Sequence, residues 1–196
     1  MYERSYGSKY QESRSFSEAQ VAAAIRADIK AAVKAEKLPG APVKYSVRKR
    51  SYAGGFSIDV EVQDWPEAYV PCEGEAPSRF SEFGPYVCQH YMCAGRARAE
   101  GQPVSDSHRE YKNLSPEAHR VIAKLEAISW AYNYDGSESQ VDYFDRRFYG
   151  SIEIEDDWHR DFRQKEAAAK KLRAELKKAQ ASGGVESYLD HIAAKG

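Results

Sequence analysis

Four residues near the middle of the chain have types that can hold a metal: Cys72, Cys88, His90 and Cys93. Thiolate and imidazole are the donors zinc prefers. A structural zinc there would pin a stretch too poor in apolar residues to fold alone. The spacing C-x15-C-x-H-x2-C is not that of a standard knuckle, and His108 can stand in for His90. The plain alternative is three buried thiols beside Phe80, Phe83, Tyr86 and Tyr91. Cys88 and His90 also suggest a thiol–imidazole pair, but catalytic partners meet through the fold and not through sequence adjacency.

A second group is acidic. Between residues 133 and 157 eight carboxylates face two arginines, a net of −6. An EF-hand register from Asn133 fails, lacking glycine at its sixth place and glutamate at its twelfth. Asp142 and Asp145 are conceivable metal ligands of a hydrolase, yet a strand through both points them to opposite faces. A solvated acidic face with turn-forming Asp and Asn accounts for the same residues. The opposite charge gathers in residues 1–50, with 11 basic and 5 acidic groups, a net of +6. Lys44, Arg48, Lys49 and Arg50 can track a phosphate backbone, with Tyr45 or Tyr52 to stack on bases. The same polarity can draw two copies, the two halves or a protein partner together. Tyr45 shares parity with Val43 and Val47, the core side of its strand, which weakens the stacking argument. No Walker loop, GxGxxG, HExxH or GxSxG is present.

Composition narrows the class. The 196 residues are 42% hydrophobic and 12% aromatic with a formal net charge of −1, which suits a folded domain and excludes a globally basic nucleic-acid coat or an acidic DNA mimic. No apolar run approaches the roughly 20 residues of a membrane span, and the N-terminus lacks the apolar core of a signal peptide. Three cysteines without such a signal point to the cytosol.

The elements that must position these groups read as follows. Residues 1–16 form a polar arm with Tyr2, Tyr6 and Tyr10 spaced by four. A helix starting at Ser15 or Ser17, with a capping box at Ser15–Glu18, has the face Val21, Ile25, Ile29 and Val33 and is ended by Leu38-Pro39-Gly40. Val43–Arg50 and Phe56–Gln63 alternate as a hairpin around Ala53-Gly54-Gly55, with Arg48 opposite Asp59 or Glu61. Residues 64–113 lose all periodicity among prolines and glycines. Ser115-Pro116-Glu117 then opens a second helix through Val121, Ile122, Leu125 and Ile128. Val141–Phe144 and Phe148–Glu155 suggest a second strand pair. Its acidic, Trp-tipped end mirrors residues 57–65, which reads equally as duplication or as convergence. A charged helix over 159–180 and a short amphipathic one beyond Gly183-Gly184 finish the chain.

Lys44–Val60 and Asn133–Tyr149 together resemble the large polyvalent protein-associated domain of the twenty-ninth type, over roughly residues 17–64 and 114–155. That family occurs in phage and mobile-element proteins. The proline-rich middle and the charged C-terminal helix depart from its pattern. The likeness implies a role in conflict between mobile DNA and its host, in the host cytosol. It brings no catalytic residues.

The expectation is therefore an α+β fold: two helix–β-hairpin units sharing an antiparallel sheet, with a long irregular insertion and a charged C-terminal helix. The boundaries are an arm at 1–16, a domain at 17–157 holding the 64–113 insertion, and an extension at 158–196. The expected function is non-enzymatic, binding and interfering with a host defence or regulatory protein. Lys44, Arg48, Lys49, Arg50, Tyr52, Asp142, Asp145, Arg146 and Arg147 are the contact residues. The alternatives are a nucleic-acid-binding module on the basic hairpin, zinc-stabilised, and self-association; no membrane partner is expected.

Overall fold

The computed structural model describes residues 4–76, 86–87, 92–138 and 145–181. The chain divides into a unit up to Glu155 and a second from Asp156. In order, the first holds β1 (Ser5–Tyr6), α1 (Tyr10–Ser13), α2 (Glu18–Lys34), β2 (Lys44–Tyr52), β3 (Gly55–Gln63), β4 (Tyr69–Pro71), β5 (Glu75–Ala76), β6 (Tyr86–Val87), α3 (Ala94–Ala99), β7 (Lys112–Leu114), α4 (Pro116–Trp130), β8 (Tyr134–Asp135) and β9 (Ile152–Ile154). The second unit holds α5 (Asp157–Ala181), whose first turn is capped by Asp156 accepting the His159 N–H at 2.7 Å. No described helix is long and apolar enough to cross a membrane.

The mixture of helix and sheet is the α+β class expected. Its centre is a three-stranded sheet, β2-β3-β9, with α2 and α4 packed on it. The hairpin forms in the expected register, Val47 opposite Val60 and Arg48 opposite Asp59. Tyr52 pairs with Gly55 across Ala53-Gly54, and Gly54 takes φ 88°, the left-handed conformation such a turn requires. Because side chains alternate, Val47, Ile58, Val60 and Val62 face the helices and are buried with Val21, Ile25, Ile29, Val121, Ile122 and Leu125 in one core.

The third strand corrects the expectation of a shared antiparallel sheet. β9 runs parallel to β3, Val60 opposite Ile152 and Val62 opposite Ile154. The alternation of Ile152 and Ile154 shows which face is buried, but it is silent on strand direction. Direction follows from α4, which returns the chain across the sheet before β9 begins. Val141–Phe144, the other half of the expected second hairpin, lies outside the described residues. The two similar acidic strands end differently: Trp65 is a core residue, whereas Trp158 belongs to α5.

Boundaries moved where capping decided them. Of the two expected starts Ser17 is the N-cap of α2, and the capping box is Ser17–Gln20 instead of Ser15–Glu18: the Ser17 hydroxyl accepts the Gln20 N–H, and the Gln20 carboxamide accepts the Ser17 N–H at 2.8 Å. The helix ends at Lys34, before the proline, because Glu36 already takes φ 55°. Ser115 caps α4 as expected, accepting the Ala118 N–H at 3.1 Å.

The described residues of the 64–113 insertion hold regular structure. β4 pairs with β7 and β5 with β6, and α3 packs where glycines permit backbone contact. A Cβ on Gly95 would sit 1.6 Å from the Cys72 carbonyl oxygen, and one on Gly74 2.5 Å from the Ala99 methyl. Contacts of this kind leave no hydrophobic period to read.

The same restriction governs the main sheet. Tyr149 O accepts from Ile58 N at 2.8 Å and Ser151 O from Val60 N at 2.9 Å, so Gly150 passes directly over β3. A Cβ on Gly150 would lie 1.9 Å from the Ile58 oxygen. Gly150→Ala is expected to cost about 3 kcal/mol, the upper range for overpacking, in urea unfolding. Gly40→Ala, which meets nothing within 4 Å, is expected to leave the midpoint nearly unchanged.

Candidate functional site

The basic residues of β2 are each answered by a carboxylate. Lys44 lies 2.9 Å from Asp64, Arg48 2.7 Å from Glu61 and Arg50 3.3 Å from Asp59. Arg48 and Arg50 reach the diagonal neighbour instead of the residue directly opposite. Lys49 lies on the opposite face, 3.1 Å from Glu18 at the start of α2. The four cations expected to act together are thus split between two faces and locally neutralised. A phosphate backbone would have to displace carboxylates to use them. Tyr52 lays its ring over Gly55, whose missing side chain leaves room for it.

Asp145, Arg146 and Arg147 belong to a second internal network. Arg146 pairs with Asp135 at 2.6 Å and lies over the Tyr149 ring. Asp145 accepts from the Tyr134 hydroxyl at 2.5 Å and lies 3.5 Å from Arg4. Asp142 lies outside the described residues.

Arg147 is a clamp. Its guanidinium donates to the Ser13 hydroxyl at 2.9 Å, to the Tyr132 carbonyl at 2.8 Å and to the Ser13 carbonyl, and sits over the Tyr10 ring. Burial lowers its pKa from the usual arginine value. Gly7 N–H donates to Asn133 O and Lys9 N–H to Ala131 O, so arm and arginine together satisfy the carbonyls that leave α4. Residues 4–16 are therefore docked. Asn133 locks the opposite side, donating to Phe148 O at 2.9 Å and accepting from Phe148 N at 3.2 Å.

Of the four zinc candidates, Cys72 and Cys93 come together, fully buried as free thiols with Tyr111 packed on them. Cys88 and His90 lie outside the described residues. Among the described residues no three His, Cys, Asp or Glu side chains converge. His108 is engaged in its own turn, its Nδ1 accepting from the Ser105 N–H at 3.0 Å.

The open feature with a distinct character lies between α2 and α4. A depression of about 470 Å3 is lined by Ala31, Ala32 and Ala35 on one helix side, and by Ala127, Ile128 and Ala131 on the other. Lys9 and Asp28 close one end, 2.5 Å apart, with the Tyr132 hydroxyl donating to the same Asp28 oxygen at 2.7 Å. Asp28 holds the Lys9 ammonium above its ordinary pKa, while burial raises that of Tyr132. Lys37 and Lys124 line this depression and also its neighbour of about 830 Å3, which includes Lys34, Glu36, Glu117 and Arg120. Among the described residues neither Lys37 nor Lys124 has an ion-pair partner. With Lys9 cancelled by Asp28, the alanine-floored groove carries a net of +2 from its three lysines and one aspartate.

Sequence reading passed over this pair. The signal was nevertheless present: no acid lies three or four places from Lys124, whose helical neighbours are Arg120, Val121, Ala127 and Ile128. A further depression of about 610 Å3 at the other end of α4 holds Arg146 with the exposed rings of Trp130 and Tyr149. Comparison with protein-family models, curated proteins and solved structures finds no match to this chain.

Arg147→Lys keeps the charge and loses the fork, and is expected to cost about 2 kcal/mol, as for hydrogen bonds to a charged group. Hydrogen exchange should then quicken in residues 5–13 while β3 amides stay protected. Tyr134 is pushed up to about 12 by its bond to Asp145, and Tyr45 to about 12 by burial. A raised folded pKa means that stability is full below the unfolded tyrosine value of about 10 and is lost as pH rises through 12. Urea midpoints should fall above pH 10, and less steeply in Tyr134→Phe.

Proposed function

We propose that this protein is a non-enzymatic binding module that holds a host protein and interferes with it, as an accessory of a phage or other mobile element. The observation that carries the binding reading is the groove between α2 and α4, where two unpaired lysines stand over an apolar floor. Elsewhere in the first unit the cations expected to make contact are committed to internal carboxylates or carbonyls. A surface of free charge beside small apolar side chains suits docking: charge guides encounter, and apolar area holds the complex. The mobile-element setting rests on the likeness of residues 44–60 and 133–149 to the polyvalent-protein domain.

The test is affinity capture by the tagged full chain from bacterial lysate, with and without nuclease digestion. One protein recovered in near-stoichiometric amount, and retained after nuclease digestion, is the expected result. Recovery that disappears with nuclease, or the absence of any specific protein over repeated captures, would overturn the reading.

A further inference from the structure

We infer that the α2/α4 groove receives an acidic amphipathic helix from the partner protein, with Lys37 and Lys124 pairing to carboxylates on either flank of its apolar stripe. This deepens the binding-module reading and rests on it. Four observations support it.

The groove is bounded by two helices, so the shape that fills it is a third one seated between their ridges. The lining is small. Ala31 on α2 and its C-cap Ala35 are one turn apart, as are Ala127 on α4 and its C-cap Ala131, so the apolar part of the lining is small apart from Ile128. The helical stretch from Asp28 to Lys34 spans about 9 Å at helical rise, room for between one and two turns of a partner before the wall turns away at Glu36. The charge comes from both sides of the groove on exposed lysines: Lys37 just beyond α2 and Lys124 on α4. A helix with leucine on one face and glutamate on both flanks meets each element at once, as helix-in-groove recognition does elsewhere.

Nucleic acid fits less well. A sugar-phosphate backbone gains nothing from an alanine and isoleucine floor, and the groove presents no aromatic ring for a base to stack on. The adjoining depression adds Lys34 and Arg120 but balances them with Glu36 and Glu117, so no continuous phosphate track extends from the groove.

Fluorescence anisotropy on the full chain tests the inference with a labelled 18-residue peptide, leucine at helical i, i+3, i+7 spacing and glutamate flanking. The comparators are a scrambled peptide of the same composition and a labelled DNA duplex. The expected result is binding of the amphipathic peptide at least tenfold tighter than the scrambled one. That affinity should fall tenfold or more in Lys37→Glu/Lys124→Glu and be unchanged in Arg50→Gln, with circular dichroism confirming that both variants are folded. Equal binding of the two peptides, or insensitivity to the double variant, would overturn the inference. So would a duplex that binds more tightly than the peptide and is lost in the double variant. The two readings fail separately. If lysate capture recovers the same partner with wild type and with Lys37→Glu/Lys124→Glu, the groove assignment falls and the binding module stands. If capture recovers no protein, the module falls whatever the peptide does.

Discussion

Gly150 crosses β3 at a point where the Ile58 carbonyl occupies the space of a side chain, and most of the first unit depends on that crossing. The bonds on either side, Ile58 to Tyr149 and Val60 to Ser151, hold a third strand on a hairpin that would be marginal by itself. With the strand in place, Phe148 stacks on Phe56 and Ile154 joins the core. The chain can arrive there in parallel only by passing back over the sheet, which α4 does. Lodging α4 beside α2 in turn creates the groove between them. A close backbone contact at one glycine thus lets the third strand pair, and the return through α4 sets its direction and the helix layer beside it.

The end of α4 raises a separate problem, since its last carbonyls need donors and the sheet supplies none. The N-terminal arm supplies two from Gly7 and Lys9, and Arg147 adds a charged donor at Tyr132, the sign the negative end of a helix favours. Gly7 is required by the same closeness, since a Cβ there would meet the Trp130 oxygen at 2.0 Å. The arm also brings Lys9 to Asp28, which shuts one end of the groove. Docking the arm and shaping the candidate site are therefore one event, although the residues involved lie more than a hundred positions apart.

These facts explain what could be read from the sequence. The helices α2 and α4, their buried faces and the β2–β3 hairpin follow from local periodicity and caps, and they were legible as such. The direction of β9, the order within residues 64–113 and the docking of the arm depend on backbone contacts between distant segments. Gly150, Gly95 and Gly7 mark those contacts, but a glycine in a sequence does not name the carbonyl it must avoid. The candidate site divides the same way. Lys44, Arg48 and Arg50 were conspicuous because they crowd one strand, and that same crowding aligns them with Asp64, Glu61 and Asp59. Lys37 and Lys124 were inconspicuous because they are far apart in the chain.

Why the strand cations pair and Lys124 on α4 does not is a matter of geometry. On a sheet, a neighbouring strand places its side chains within reach of each residue along the ladder, so an acidic β3 neutralises a basic β2 by register alone. On a helix, partners must come from its own next turn or from another element. The turns around Lys124 offer Arg120 and Ile128, and the facing wall offers alanines, another lysine and one aspartate, Asp28, which Lys9 already holds. A solvated lysine costs the fold little, so stability alone does not select against this arrangement. The consequence is a local positive field beside an apolar floor in a chain whose net charge is only −1. It is this separation of charge from charge, more than any total, that gives the groove a preference for one sign of partner.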